Sequence, residues 1–265
     1  MKYYVVSDTH GYYTQTVQAL TEAGFFAETE PHKLIVCGDL LDRGKEAIKM
    51  QDFACGLLDE GRLIFVRGNH EDLMSKMLNN LDDIVENMNR PDYFHVSNGT
   101  WDSALQLSGM EHGMALMCPD RLVNRVKSTP FYKRLLPSTV DFYETEHYIF
   151  THGWIPCATS SAKLTYQPSE SAVYDNGWRN ASQERWYYAR WHNGMAVRYV
   201  NNIYEQGKTI VCGHWNASFG HSMIEGRGSQ HGEDADHSPF YGDGIIAIDA
   251  CTYVSGKINC IVIED

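Results

Sequence analysis

Residues 33–44 read Lys-Leu-Ile-Val-Cys-Gly-Asp-Leu-Leu-Asp-Arg-Gly, an apolar run that stops at a glycine and opens into two acids and an arginine. Such a run reads as a buried parallel strand entering a tight loop. The same pattern recurs four times. KYYVVS at 2–7 precedes Asp8-Thr9-His10, and RLIFVR at 62–67 precedes Gly68-Asn69-His70-Glu71. HYIFT at 147–151 precedes His152-Gly153, and KTIVC at 208–212 precedes Gly213-His214. In open α/β sheets, ligands bind beyond the carboxyl ends of the strands. Five strand ends therefore bring Asp8, His10, Asp39, Asn69, His152 and His214 towards one place. Carboxylate and amide oxygens with imidazole nitrogens form a donor set suited to Mn, Fe or Zn.

Helical spacing fills the gaps between the first strands. Tyr12–Phe25 carries Val17, Leu20 and Ala23, and Lys45–Leu58 carries Ile48, Phe53, Leu57 and Leu58 before Gly61. Glu71–Leu81 sets Leu73, Met77 and Leu78 on one face. From about 82 to 145 the strand signal fades among Pro91, Pro119, Pro130 and Pro137, which predicts a mostly helical insert. A second insert, 155–206, is dense in Trp and Tyr. Residues 217–243 are rich in Gly, His and acid and read as a mobile loop. The closing runs GIIAIDA and KINCIVIE are expected to pair through a turn near Ser255-Gly256. No composition break divides the chain, so 1–265 reads as a single domain.

Composition bounds the class. Of 265 residues 43% are hydrophobic, enough for a sizeable core, and no long uncharged apolar stretch predicts a membrane span. A strand beginning at Lys2 leaves no room for a signal peptide. Seven scattered cysteines, without CxxC spacing, fit reduced thiols in a cytoplasm. A net charge of −12 argues against coating nucleic acid, which needs clustered Lys and Arg. It leaves a small phosphorylated substrate open, because bound divalent cations invert the local field.

Two ions held about 3.5–4 Å apart can position a hydroxide and a phosphoryl group for in-line displacement. A carboxylate able to bridge them is required, and Asp39 is the best candidate. A lone D-x-H or Gly-His carries little weight, and a lone His152 would pass for a core histidine. GDxxDRG and GNHE are far more specific, and all five clusters in order are hard to obtain by accident.

The series D-x-H, G-D-x-x-D-R-G, G-N-H-E, H-G and G-H resembles the calcineurin-like metallophosphoesterases. GDLLDRG and GNHE resemble their phosphoprotein phosphatase branch, with likeness to bacterial and phage-type serine/threonine phosphatases and to bis(5′-nucleosyl)-tetraphosphatases. Asn98-Gly99-Thr100-Trp101, Tyr188-Ala189-Arg190 and Ile248-Asp249-Ala250 are similar to later segments of that branch. The resemblance implies an α/β, or α+β, four-layer sandwich: two central mixed β-sheets flanked by helices, with helical inserts. It implies that Asp8, His10 and Asp39 hold one divalent ion and Asp39, Asn69, His152 and His214 the other. Manganese leads, with iron, zinc or cobalt as alternatives. His70 would be the general acid, Asp42 its orienting carboxylate, and a metal-bridging hydroxide the nucleophile. Arg43 and Asn69 would bind phosphate, with Arg190 as a second clamp. Tyr188 replaces that branch's tryptophan, so Arg179, Arg185 and Arg198 are rivals to Arg190.

Trp154 and Trp215 read as pocket walls or as a stacking face. His221, His231 and His237 read as part of a solvated loop. Asp249 orients ligating histidines or serves structure alone. The expected activity is phosphoric ester hydrolysis, most simply of phosphoserine or phosphothreonine in proteins. Hydrolysis of nucleotide polyphosphates is the alternative, and a non-catalytic binding module stands behind both.

Overall fold

A computed structural model describes residues 1–158 and 172–265. The expected strand–helix alternation is present: β1 (Lys2–Val6), α1 (Tyr13–Glu22), β2 (His32–Cys37), α2 (Ala47–Asp59), β3 (Leu63–Val66) and α3 (Asn69–Leu78). The helical stripe of α2 is set differently from the expectation. Ala47, Met50, Ala54, Cys55 and Leu57 are buried, whereas Ile48 faces solvent. The proline-punctuated stretch folds as α4 (Leu81–Asn87), α5 (Phe94–Ser97), α6 (Thr100–Ser108), α7 (His112–Met117) and α8 (Pro119–Ser128), with Pro119 at the first turn of α8, where no N–H is needed. Then come β4 (Tyr143–Glu144), β5 (Tyr148–Phe150), α9 (Gln183–Ala189), α10 (Gly194–Tyr199) and β6 (Thr209–Cys212). Part of the expected 155–206 insert, 159–171, lies outside the described residues. The chain continues through α11 (Ser218–Met223), β7 (Phe240–Gly242), β8 (Ile245–Ala247), α12 (Thr252–Ser255) and β9 (Ile261–Glu264).

The strands form two mixed sheets. One has the order β3-β2-β1-β9, with β1, β2 and β3 parallel and β9 antiparallel to β1. The other has the order β4-β5-β6-β8-β7, with β5, β6 and β8 parallel between antiparallel edges. Side chains alternate across a strand, and β1 displays the result. Tyr3 and Val5 join Ile35, Cys37, Val66, Phe150, Val211 and Ile248 in a core between the sheets. Tyr4 and Val6 face the helices on the outer side, beside Leu20, Met50 and Trp101. A third core, with Trp154, Trp178 and Trp186, covers the outside of the second sheet. The result is helix, sheet, sheet, helix: the four-layer sandwich.

Two expectations are corrected. The closing runs do not pair with each other, because β8 lies between β6 and β7 while β9 takes the free edge of β1. Gly256, at φ +66°, ends α12 instead of turning a hairpin. The 217–243 segment also holds α11 and β7, and its His221 is buried rather than solvated. His221 is held by Glu225, Arg227 and the Ser238 carbonyl.

Candidate functional site: a buried carboxylate and imidazole cluster

The loops beyond β1 and β2 are knitted by backbone hydrogen bonds from His10 to Asp39 (2.9 Å) and from Gly11 to Leu40 (2.8 Å). Their conformation is unusual. Of eight non-glycine residues with positive φ among those described, six are Asp8, His10, Asp39, Asp42, Arg43 and His214. A side chain in left-handed backbone costs free energy, and such residues persist where surrounding structure enforces them, commonly at functional sites. Glu71 enforces this one. At the third position of α3 it reaches back to the Gly68 N–H (2.7 Å), one half of a capping box. It also accepts from the N–H groups of Asp39 and Leu40, each at 3.0 Å.

Asp39 sits at the centre of the site. Its carboxylate belongs to two groups of convergent donor atoms, His10–Asp39–His70 and Asp39–His152–His214. Asp39 Oδ1 lies 3.4 Å from His152 Nε2, and Oδ2 lies 3.9 Å from His10 Nε2 and 3.7 Å from His70 Nε2. Asp8 Oδ1 lies 3.9 Å from His10 Nε2, while its Oδ2 accepts from the His214 N–H at 2.9 Å and so ties the two sheets together. His10 Nδ1 donates to the Leu41 carbonyl (3.0 Å), and His152 Nδ1 donates to that of Cys37 (2.8 Å). His214 is anchored to the Trp191 backbone. Anchoring one ring nitrogen leaves the other as a lone pair of fixed direction, the usual preparation of a metal-binding histidine. His152 Nε2 then faces Asn69 Oδ1 at 2.7 Å. These are two acceptors, reconciled only by a shared cation or a turned amide.

The electrostatics agree. Burial raises the Asp8 carboxyl to about 6. Burial, then the charge of Asp8, raises Asp39 well above the ordinary carboxylate value. Burial holds His152 down at about 4. It also pushes His10, His70 and His214 well below the ordinary imidazole value, with Arg43 adding to the effect on His10 and His70. Neutral imidazoles beside mutually repelling carboxylates form a set that divalent cations fit.

The other ring nitrogen of His70 pairs with Asp42. His70 Nδ1 meets Asp42 Oδ2 at 2.7 Å, and Thr100 Oγ1 donates to the same oxygen at 2.8 Å. Ser103 Oγ accepts from the Asp42 N–H. Burial lifts Asp42 to about 7 despite these hydroxyls. The Arg43 guanidinium reaches His10 Nε2 (2.9 Å) and His70 Nε2 (3.5 Å). Gly99, at φ +81°, is required because a Cβ there would collide with the Arg43 backbone nitrogen.

Arg190 is placed differently from the expected clamp. It is buried and bonded to Asp72 (2.8 Å) and to Asp141. Its rivals are also engaged, Arg179 with Glu144 and Glu205, Arg185 with Asp175, and Arg198 with Asp243. Trp154 is fully buried in the core, which removes the stacking reading for it, while Trp215 is half-buried against the His214 ring. Asp249 is buried and accepts from the Cys251 N–H (2.7 Å), the structural alternative. Reading the sequence did not assign roles to Glu71, Thr100 and Ser103. Only Glu71 had a local signal, its position three residues after Gly68.

Among the described residues, no helix is long and apolar enough to cross a membrane. A family model described as calcineurin-like phosphoesterase matches residues 1–247. The chain is 32% identical over 76 residues to the asymmetrical bis(5′-nucleosyl)-tetraphosphatase PrpE of Bacillus subtilis (strain 168), 26% of this chain and 31% of that protein. It is 38% identical over 73 residues to PrpE of Geobacillus thermodenitrificans (strain NG80-2), 25% of this chain and 29% of that protein. The chain thus spans about a third of the length of these relatives. A crystal structure of a mutant cold-active protein tyrosine phosphatase shares the fold, with a TM-score of 0.52 and 16% identity, covering 100% of this chain and 75% of that one.

Proposed function

This chain belongs to the calcineurin-like phosphoesterases, and from that premise we propose that it hydrolyses phosphate monoesters on protein side chains, with the catalytic parts of a serine/threonine-type phosphatase. The observation that carries the reading is Asp39's membership of both donor groups, beside the His70–Asp42 hydrogen bond and Arg43. Asp8, His10 and Asp39 would hold one divalent ion, and Asp39, Asn69, His152 and His214 the other. Manganese is the ion proposed, with iron, zinc and cobalt as alternatives. When bound, such a pair supplies Lewis acidity and a water acidic enough to act as a nucleophile at neutral pH.

The remaining work falls to side chains. Arg43 lies where a planar guanidinium can take two phosphate oxygens, and Asn69 can donate to a third. Transition-state charge on those oxygens is what preorganised donors stabilise best. His70 protonates the departing ester oxygen, and Asp42 fixes the ring that does so. Arg190 takes no part in this scheme, since gripping phosphate would require it to leave two carboxylates. We further propose that residues 1–265 form a single domain that works in the cytoplasm.

The alternative is hydrolysis of nucleotide polyphosphates, favoured by the names of the two PrpE relatives. One assay separates the readings: phosphate release from phosphopeptides and from diadenosine tetraphosphate, each with manganese and with chelator. Manganese-dependent turnover of phosphopeptides well above that of the dinucleotide is expected. The reverse preference would overturn the proposal, and silence on every substrate with every metal would leave a binding module.

A further inference from the structure

We propose that Phe94 and Trp191 form a shelf for the leaving group of the substrate, and that the ring it receives is the aromatic ring of an aryl phosphate, tyrosine phosphate in a protein. The inference rests on the phosphomonoesterase reading above and narrows its substrate. Phe94 opens α5 in the first insert, and Trp191 follows α9 in the second. Their ring centroids lie 6.0 Å apart at 33°. The Trp191 ring stands edge-on to His214, 5.7 Å away. On the other side the helix that Phe94 opens leads to Gly99, packed against the Arg43 backbone, and to Thr100, whose hydroxyl donates to Asp42 at 2.8 Å. The pair therefore links the His214 side of the cluster to the His70 side, and the His70 side is where the ester oxygen departs.

Phe94 remains 47% exposed even while touching Trp191. A contact that served only to hold two inserts together would bury its ring. Exposed aromatic surface beside a polar catalytic cluster is the usual form of a recognition face. A second ring, Tyr253, is 56% exposed and lies over the Arg43 guanidinium at 4.9 Å. Among the described arginines, Arg43 is the one hydrogen-bonded to the cluster, while Arg67, Arg179, Arg185, Arg190 and Arg198 are held by carboxylates. One guanidinium suits a single phosphate better than a polyphosphate chain. In the step implied, the bond from phosphorus to the phenolic oxygen breaks and an oxygen from water bonds to phosphorus. The phenolic oxygen takes a proton from the His70 imidazolium, and the proton that the attacking water gives up restores it, so that the products are tyrosine and inorganic phosphate.

The test uses one peptide sequence carrying phosphotyrosine or phosphoserine, with diadenosine tetraphosphate alongside, in saturating manganese. The wild-type chain is expected to favour the phosphotyrosine peptide in kcat/KM. In Phe94→Ala the ratio of phosphotyrosine to phosphoserine turnover should fall about three- to ten-fold, mainly through KM, in line with an aromatic pair interaction. Phe94→Trp should restore the ratio. Equal losses on both peptides, or an unchanged ratio, would make the pair a structural contact and overturn the shelf. A loss confined to diadenosine tetraphosphate would assign the shelf to a nucleobase and also overturn the proposal. If no phosphomonoester is hydrolysed at all, the underlying function fails, an outcome separate from failure of the shelf.

Discussion

His70 and Asp39 lie side by side, yet altering them should affect metal content differently. His70 hydrogen-bonds Asp42 and is not needed to anchor a cation in the proposed scheme. His70→Asn should keep its metal content, measured by elemental analysis, while phosphate release falls about 10²–10⁴-fold. Parent-rate turnover in that variant would remove His70 as the acid. Asp39→Asn removes the only carboxylate common to both donor groups among the described residues. It should lose metal and activity together, and two ions retained would refute its bridging role. These residues were legible because each follows an apolar run at a strand end. Their left-handed backbone was not, since Asp and His at positive φ leave no mark in a sequence the way glycine does. Glu71 was legible as a motif letter only. The N–H groups it satisfies at Asp39 and Leu40 lie in another loop, more than thirty positions away, and nothing local announces them.

At the scale of elements, the turn between α5 and α6 carries a sharp expectation. Gly99 combines φ +81° with backbone contact against Arg43. Gly99→Ala must move that backbone and should cost about 1–3 kcal/mol of stability, seen as a lower denaturant midpoint. Its kcat/KM should fall while its metal content is unchanged, because Arg43 moves and the donor set does not. An unaltered midpoint would show that the turn has slack. The first three helices were legible from their spacing, but the buried stripe of α2 was assigned partly to the wrong residues. Ile48 is apolar yet exposed, because the core below α2 is already filled by Met50 and Ala54. The β8 and β9 runs were recognised as strands and paired wrongly. Periodicity identifies a strand, but the partner is decided by which open edge remains, and those edges belong to two different sheets.

For the whole molecule, buried charge links stability to pH and to metal. Asp8 at about 6, Asp42 at about 7, and Asp39 and Asp249, which burial also raises, all exceed the ordinary aspartate value near 3.9. Above that value the folded chain holds more protons than the unfolded one, so these groups make stability fall as pH rises through their folded values. The histidines act in the opposite sense. With folded values at about 4 for His152 and lower than usual for His10, His70 and His214, they make stability rise up to about pH 6.5. Below that point the trends oppose; above it the carboxylates, joined near pH 8.5 by the buried cysteines whose thiols burial also raises, act in one direction. Chelator-treated protein should therefore melt lower at pH 8.5 than at pH 6.5, as Asp42 passes its folded value of about 7. Manganese should raise the melting temperature more at pH 8.5 than at pH 6, because it binds the deprotonated set. A melting temperature of the chelated protein that does not fall above pH 6.5, or an equal manganese effect at both values, would contradict the cluster's electrostatics.

The position of β1 has a consequence for how the protein is made. β1 is flanked by β2 on one side and by β9 on the other, with Lys2 paired to Glu264. As the nascent chain leaves the ribosome, β2 arrives early, but the far side of β1 has no partner until β9, far along the chain, has been translated. A bare, apolar strand edge is a template for association with other chains. Overproduction should therefore yield inclusion bodies unless synthesis is slowed or a chaperone shields that edge, and the remedy lies in protecting β1 rather than in supplying metal.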